Sequence, residues 1–178
     1  MNSIIQWLLQ TEPGRRIELQ LLTDLVTSSL RLPRQHLLLM PSARSLEAFA
    51  AFTANHLGAA DKAQQLTLHA RALRLGRLLR RCLTHRDDEA LTSLTFLLYR
   101  NIGIQMEGHF PGQVTISRCH FCRHYSPQIC SLASLMDDGV ICGLFGGERL
   151  VFHQRITEGH PCCRCELKGK SPKIPNPR

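Results

Sequence analysis

Residues 118–168 read RCHFCRHYSPQICSLASLMDDGVICGLFGGERLVFHQRITEGHPCCRCELK, and this stretch decides the fold. It follows Gln113-Val114-Thr115-Ile116-Ser117, a run whose β-branched residues suit a strand. Ser126-Pro127 is a helix start, with Ser as the N-cap and Pro at the first helical position. That helix carries Cys130, Leu132, Leu135, Met136, Val140 and Ile141, and stops at Gly143 or Gly146-Gly147. Arg149 to Thr157 and Cys162 to Leu167 read as two strands joined by the turn Glu158-Gly159-His160-Pro161. The pattern predicts an α+β fold: N-terminal helices packed on a small antiparallel sheet, with a C-terminal helix-strand-strand subdomain rich in cysteine.

Working outward, residues 2–10 and 15–30 read as helices separated at Pro13-Gly14. Leu37 to Met40, between Pro33 and Pro41, reads as a short strand. Ser45 opens a helix through about Leu57, ended by Gly58. Asp61 to about His85 is the clearest long helix. Ala72, Leu75, Leu79, Cys82 and Leu83 share one face, which places Cys82 in the core. Arg74, Arg77 and Arg81 share another, either a nucleic-acid or partner surface or the solvated side of an amphipathic helix. Asp87-Asp88-Glu89 starts a further helix, where acidic residues suit the positive helix end, and it runs through Leu91, Leu94, Leu97, Leu98 and Ile102. Gly108 and Pro111-Gly112 mark turns.

The chain has 178 residues and a mass of 20.1 kDa, which suits one domain over residues 1–168, followed by a disordered basic tail at 169–178. A chain of this size buries roughly 70% of its unfolded surface, so it needs no disulfides to fold. No stretch approaches the roughly 18 apolar residues of a membrane span, and MNSIIQWLLQTEPGRR lacks the features of a signal peptide. These readings predict a cytoplasmic protein with reduced thiols and no membrane partner. The net charge of +8 permits contact with nucleic acid or another acidic partner without requiring it.

Seven of the eight cysteines fall in the last 60 residues: Cys119, Cys122, Cys130, Cys142, Cys162, Cys163 and Cys165. The C-x2-C opening lets two thiolates on one tight turn grip an ion, while later cysteines close the coordination shell from other elements. The alternative is that they are small hydrophobes packed in the core. On the final strand Cys163 and Cys165 share a face and Cys162 points the other way. His120, His124, His153 and His160 lie in the same region, as loop residues or as a ligand in place of one cysteine. Asp137 and Asp138 are adjacent on the helix and so do not face each other.

Residues 118–168 resemble the C-terminal part of the 4-vinyl-reductase domain family, in a superfamily with haem-nitric-oxide-binding domains and a TRAPP transport subunit. The resemblance rests on Cys119 and Cys122, on Cys130 with Gly139, and on Gly159 with Cys163. Upstream, the helix ending LLYRNIGIQMEG is similar to the helix before that family's central strand. About eighty residues are covered, and residues 1–44 form a poorly matched extension. The resemblance implies a pocket between helices and sheet for an apolar or aromatic small molecule, with a nearby zinc ion. Its helix and final-strand ligands carry over to Cys130 and Cys163. Phe152 and Arg155 stand where sensor members supply Glu and Cys, so Cys119 and Cys122 are the natural replacements. The four thiolates suit closed tetrahedral zinc or an iron–sulfur cluster.

The expected function is a small-molecule-binding or sensory and regulatory module. Phe49, Phe52, Leu75 and Leu79 are candidates for its pocket, and a protein partner or homodimer receives its signal. Two alternatives stand beside it. One is an iron–sulfur redox sensor or a small hydrolase or reductase; the chain's ending is also similar to that of aminothiazoline-carboxylate hydrolases, with Asp137 or Asp138 and a cysteine as working groups. The other is an adaptor or assembly protein whose zinc is purely structural.

Overall fold

The computed structural model describes residues 11–33, 42–147 and 149–169. The helix expected at 2–10, the strand at Leu37 to Met40 and residues 170–178 of the tail lie outside the described residues.

Helix α1 spans Glu12–Leu30. The Thr11 hydroxyl caps it, accepting from the Gly14 N–H at 3.3 Å. Pro13 sits in the first turn, where a missing N–H leaves no helical bond unmade. The break expected at Pro13-Gly14 is therefore the helix start. Helix α2, Ser42–Leu57, begins ahead of Ser45, which is buried inside it and does not cap it. Helix α3, Lys62–Arg81, starts with a reciprocal capping box between Asp61 and Gln64. It ends short of His85, and Cys82, expected in the core, is exposed. Helix α4, Asp88–Asn101, is capped by the Asp87 carboxylate, which accepts from the Ala90 N–H at 2.8 Å.

Strands β1 (Ile104–Gly108) and β2 (Gln113–Cys119) form a hairpin, and a short 3-10 turn, His120–Arg123, follows. Helix α5, Pro127–Phe145, opens at Ser126 as expected. Strand β3 (Arg149–Gln154), a 3-10 turn (Ile156–Glu158) and strand β4 (Cys163–Lys168) complete the chain. The sheet order is β1-β2-β4-β3, antiparallel throughout. The fold is thus α+β, with helices on a small antiparallel sheet, as the sequence predicts. Strand β1 was not expected: only Ile104 in it is buried, and its register slips between Gln105 and Met106.

Central strands β2 and β4 pair Val114 with Cys165 and Ile116 with Cys163. All four are buried, so the alternation predicted for the final strand holds and Cys163 and Cys165 face the core together. Against this face lies α5, with Met136, Val140 and Ile141 buried and Phe145 meeting Phe110 of the hairpin at 5.1 Å.

By length and composition, α5 is the one helix among the described residues that could cross a membrane, yet half of its apolar window is buried in the protein. Its other side meets α3 backbone to backbone. A Cβ built on Gly143 would lie 2.4 Å from the Leu73 carbonyl oxygen, and one on Gly139 would lie 2.6 Å from Ala72 Cβ. On the opposing helix, a Cβ on Gly76 would lie 2.2 Å from the Val140 carbonyl oxygen. Side chains cannot fit at this crossing without moving main chain.

Gly143→Ala is therefore expected to destabilise the fold by about 1–3 kcal/mol, although Ala gains about 1 kcal/mol in helix propensity over Gly. Ser131→Ala, exposed on the same helix, serves as the neutral control. Denaturant midpoints measure both; equal midpoints would remove the crossing as a constraint.

Candidate functional site

The crossing of α3 and α5 leaves space on the other side of α5. An apolar cavity of about 300 Å³ lies there, walled by residues of all five helices, the turn after β2 and the sheet. This is at the small end of ligand sites, which run roughly 300–1,000 Å³. Phe49, Leu75 and Leu79 line it, as expected; Phe52 does not, and packs instead on the His56 ring at 4.6 Å. The exposed members of the wall, Ile17, Leu21 and Cys82, put its opening between α1 and the end of α3.

Few polar groups reach this space. The Tyr99 hydroxyl donates to Asp137 Oδ1 at 2.8 Å. Burial raises the Asp137 carboxyl to about 6, and the Tyr99 bond and Arg155 pull in the opposite direction. Burial with Asp137 alongside raises the Tyr99 phenol well above its usual range. Glu18 accepts from the Asn101 amide at 3.2 Å, and burial lifts its carboxyl to about 8. Its side chain is half-buried by surface area, but part of that surface faces the apolar cavity and not bulk water. Adjacent Asp138 is turned away from the cavity. It takes His69 Nε2 of α3 at 3.0 Å and the Cys142 thiol at 3.2 Å, and tying elements together is its role. The adjacent carboxylates thus do separate work, as their helix positions imply.

Cys119, Cys122, Cys130 and Cys163 all reach the wall of this one cavity. Cys119 is the last residue of β2, Cys122 lies in the turn after it, Cys130 on α5 and Cys163 on β4. The Cys122 thiol donates to the Cys119 carbonyl at 2.9 Å, and the Cys163 sulfur accepts from the Ile156 N–H at 3.3 Å. Among the described residues the four sulfurs do not form a group within ligand distance of one another. Burial pushes the Cys119 thiol up to about 12 and also raises those of Cys130 and Cys163. All four stand in the lining of the apolar cavity. Of the remaining cysteines, Cys142 and Cys165 are buried and Cys162 is half-buried.

A different group does converge: Glu47 of α2 with His120 and His124 of the turn after β2, whose ligand atoms all lie within 4.8 Å. Their spacing in the chain, His-x3-His, marked the two imidazoles only as substitutes for a cysteine. Glu47, on a helix far upstream, carried no signal. His153 pairs with Glu166 at 3.3 Å and lies apart from both groups. Arg77 and Arg81 of the expected arginine stripe join Arg80 and Arg86 around a groove beside the end of α5. Arg86 there donates to the Leu83 and Arg81 carbonyls at 3.2 Å, serving the end of α3.

No family model, curated protein or solved structure matches this chain.

Glu18 supplies a pH test. Its unfolded value is 4.5 and its folded value about 8, so between these limits the folded chain holds more protons than the unfolded one. Stability should therefore fall as pH rises from about 4.5 to about 8. Glu18→Gln should flatten that part of the profile, read as urea midpoints across pH; an unchanged slope would place Glu18 in contact with bulk water.

Proposed function

We propose that this chain is a small-molecule-binding module of sensory or regulatory type, working in the cytoplasm and passing its signal to a protein partner or a second copy. Its ligand has an apolar or aromatic body with one hydrogen-bonding group. The observation that carries the reading is the apolar cavity with the Tyr99–Asp137 pair set in its wall. Such sites combine apolar walls with a few convergent polar groups that fix orientation. The resemblance to the 4-vinyl-reductase domain family points the same way.

Binding is favoured over cysteine catalysis because a nucleophilic thiol needs a depressed pKa, whereas burial raises Cys119, Cys130 and Cys163. The reading needs no ion at these four thiols. Neutral thiols are polarisable apolar surface and suit an aromatic guest.

The probe is 1-naphthol, an aromatic body with one hydroxyl, titrated by calorimetry. Saturable binding is expected, with affinity reduced about tenfold (roughly 1.4 kcal/mol) by Ala133→Leu, which fills the cavity, and by Leu75→Trp at its rim. Arg77→Glu, in the separate arginine groove, should bind as the unaltered chain does. Absence of saturable binding, or equal binding by the filled variants, would return the cavity to core packing.

A further inference from the structure

We infer that Glu47, His120 and His124 form a binding site for a divalent transition metal of the zinc class, with three protein ligands and a fourth position open to solvent.

The geometry begins with the turn His120–Arg123, which brings His120 and His124 to one side of the chain. Their rings lie 5.2 Å apart, tilted by 35°. Each faces a different oxygen of the same carboxylate: His120 Nε2 is 3.5 Å from Glu47 Oε1, and His124 Nε2 is 3.1 Å from Oε2. A tetrahedral ion with bonds of about 2.0–2.1 Å separates its ligands by about 3.4 Å, which the two His–Glu spacings match, and all three donors lie within 4.8 Å of one another.

The second observation is that both Nε2 atoms are buried from solvent and make no aligned hydrogen bond. They lie near the Glu47 oxygens by distance alone. Buried nitrogens without a partner are costly, and an ion between them and the carboxylate would satisfy all three groups at once. Two imidazoles and a carboxylate are a donor set for zinc, cobalt or nickel, and three ligands leave room for a water.

The frame is built before any ion arrives. The His120 N–H donates to the Gly103 carbonyl at 3.0 Å, and the His124 and Tyr125 N–H groups donate to the Phe121 carbonyl at 2.9 and 3.0 Å. Gly103 has φ +77, and a Cβ there would lie 2.9 Å from His120 Cβ, so no larger residue lets the imidazole sit here. Phe121 packs edge-on against both the His120 ring and Phe49 of α2, joining the two elements that carry the ligands. Arg123 stands 3.3 Å from His120 Nδ1, which in the metal-free state leaves the proton on Nε2. An ion on Nε2 would require the ring's proton to move to Nδ1, which would then no longer accept from Arg123.

The test uses Co²⁺ as a spectroscopic stand-in for zinc, added to the full chain with its thiols reduced. One ion per chain is expected, with visible d–d bands and without the intense thiolate-to-cobalt charge transfer that cysteine ligation gives. Glu47→Gln and His124→Ala should each weaken binding at least tenfold, while Cys130→Ser should bind unchanged. Zn²⁺ should raise the melting temperature of the unaltered chain by mass action and leave that of Glu47→Gln unmoved. Thiolate charge transfer, with loss in Cys130→Ser, would overturn the proposal in favour of the cysteines. Absence of binding, or equal binding by Glu47→Gln and His124→Ala, would overturn it as well. None of these outcomes depends on whether 1-naphthol binds.

Discussion

The structure depends on how closely α3 and α5 approach. Ala72 and Gly76 on one helix face Gly139 and Gly143 on the other, each pair at helical spacing on one face. With only the Ala72 methyl between the axes, dispersion contacts that are mostly between main-chain atoms replace the usual interdigitation. This seats α5 as the central element, with α3 on one side and the inward face of β2 and β4 on the other. The opposite faces of α5 then carry what the rest of the chain must use. Asp138 reaches His69 and the start of β3, while Asp137, Cys130 and Ala133 look into the cavity.

The cavity and the His–Glu cluster share a wall without sharing chemistry. The turn after β2 points Phe121 and Cys122 into the apolar space and His120 and His124 toward Glu47. Phe121 is the joint: it stacks on Tyr125 at 5.4 Å inside and touches His120 outside. Tyr125 in turn bonds Thr53 of α2 through its hydroxyl. A change in how α2 sits on this turn is thus felt by aromatic rings that line the cavity.

Much of the fold was legible because local chemistry wrote it. Asp61, Asp87 and Ser126 cap helices where the residue pattern says they should, and the Cys163–Cys165 alternation names the buried face of β4. The misreadings have physical causes. Pro13 serves a helix start as well as it serves a break, because both exploit its missing N–H. Strand β1 buries one residue and its register slips, so it leaves no period-two signal. Ser45 is a good N-cap type, yet the helix already runs through it. Spacing reports sequence distance, whereas ligation needs donor atoms to converge in space. The cluster that does converge has one member on α2 and two beyond β2, and only tertiary packing joins them.

With α3 and α5 packed main chain to main chain, the element laid across the cavity's open side is α1. The cavity opening is bordered by Ile17 and Leu21 on α1 and by the end of α3. The C-terminal end of α1 is tied to α3, where Gln64 donates to the Leu30 carbonyl at 3.0 Å and Arg71 to the Ser28 hydroxyl at 2.6 Å. The half of α1 that carries Ile17 and Leu21 is held to α4 by the Glu18–Asn101 bond. Helix α1 is therefore anchored to different neighbours at its two ends, α3 at one and α4 at the other.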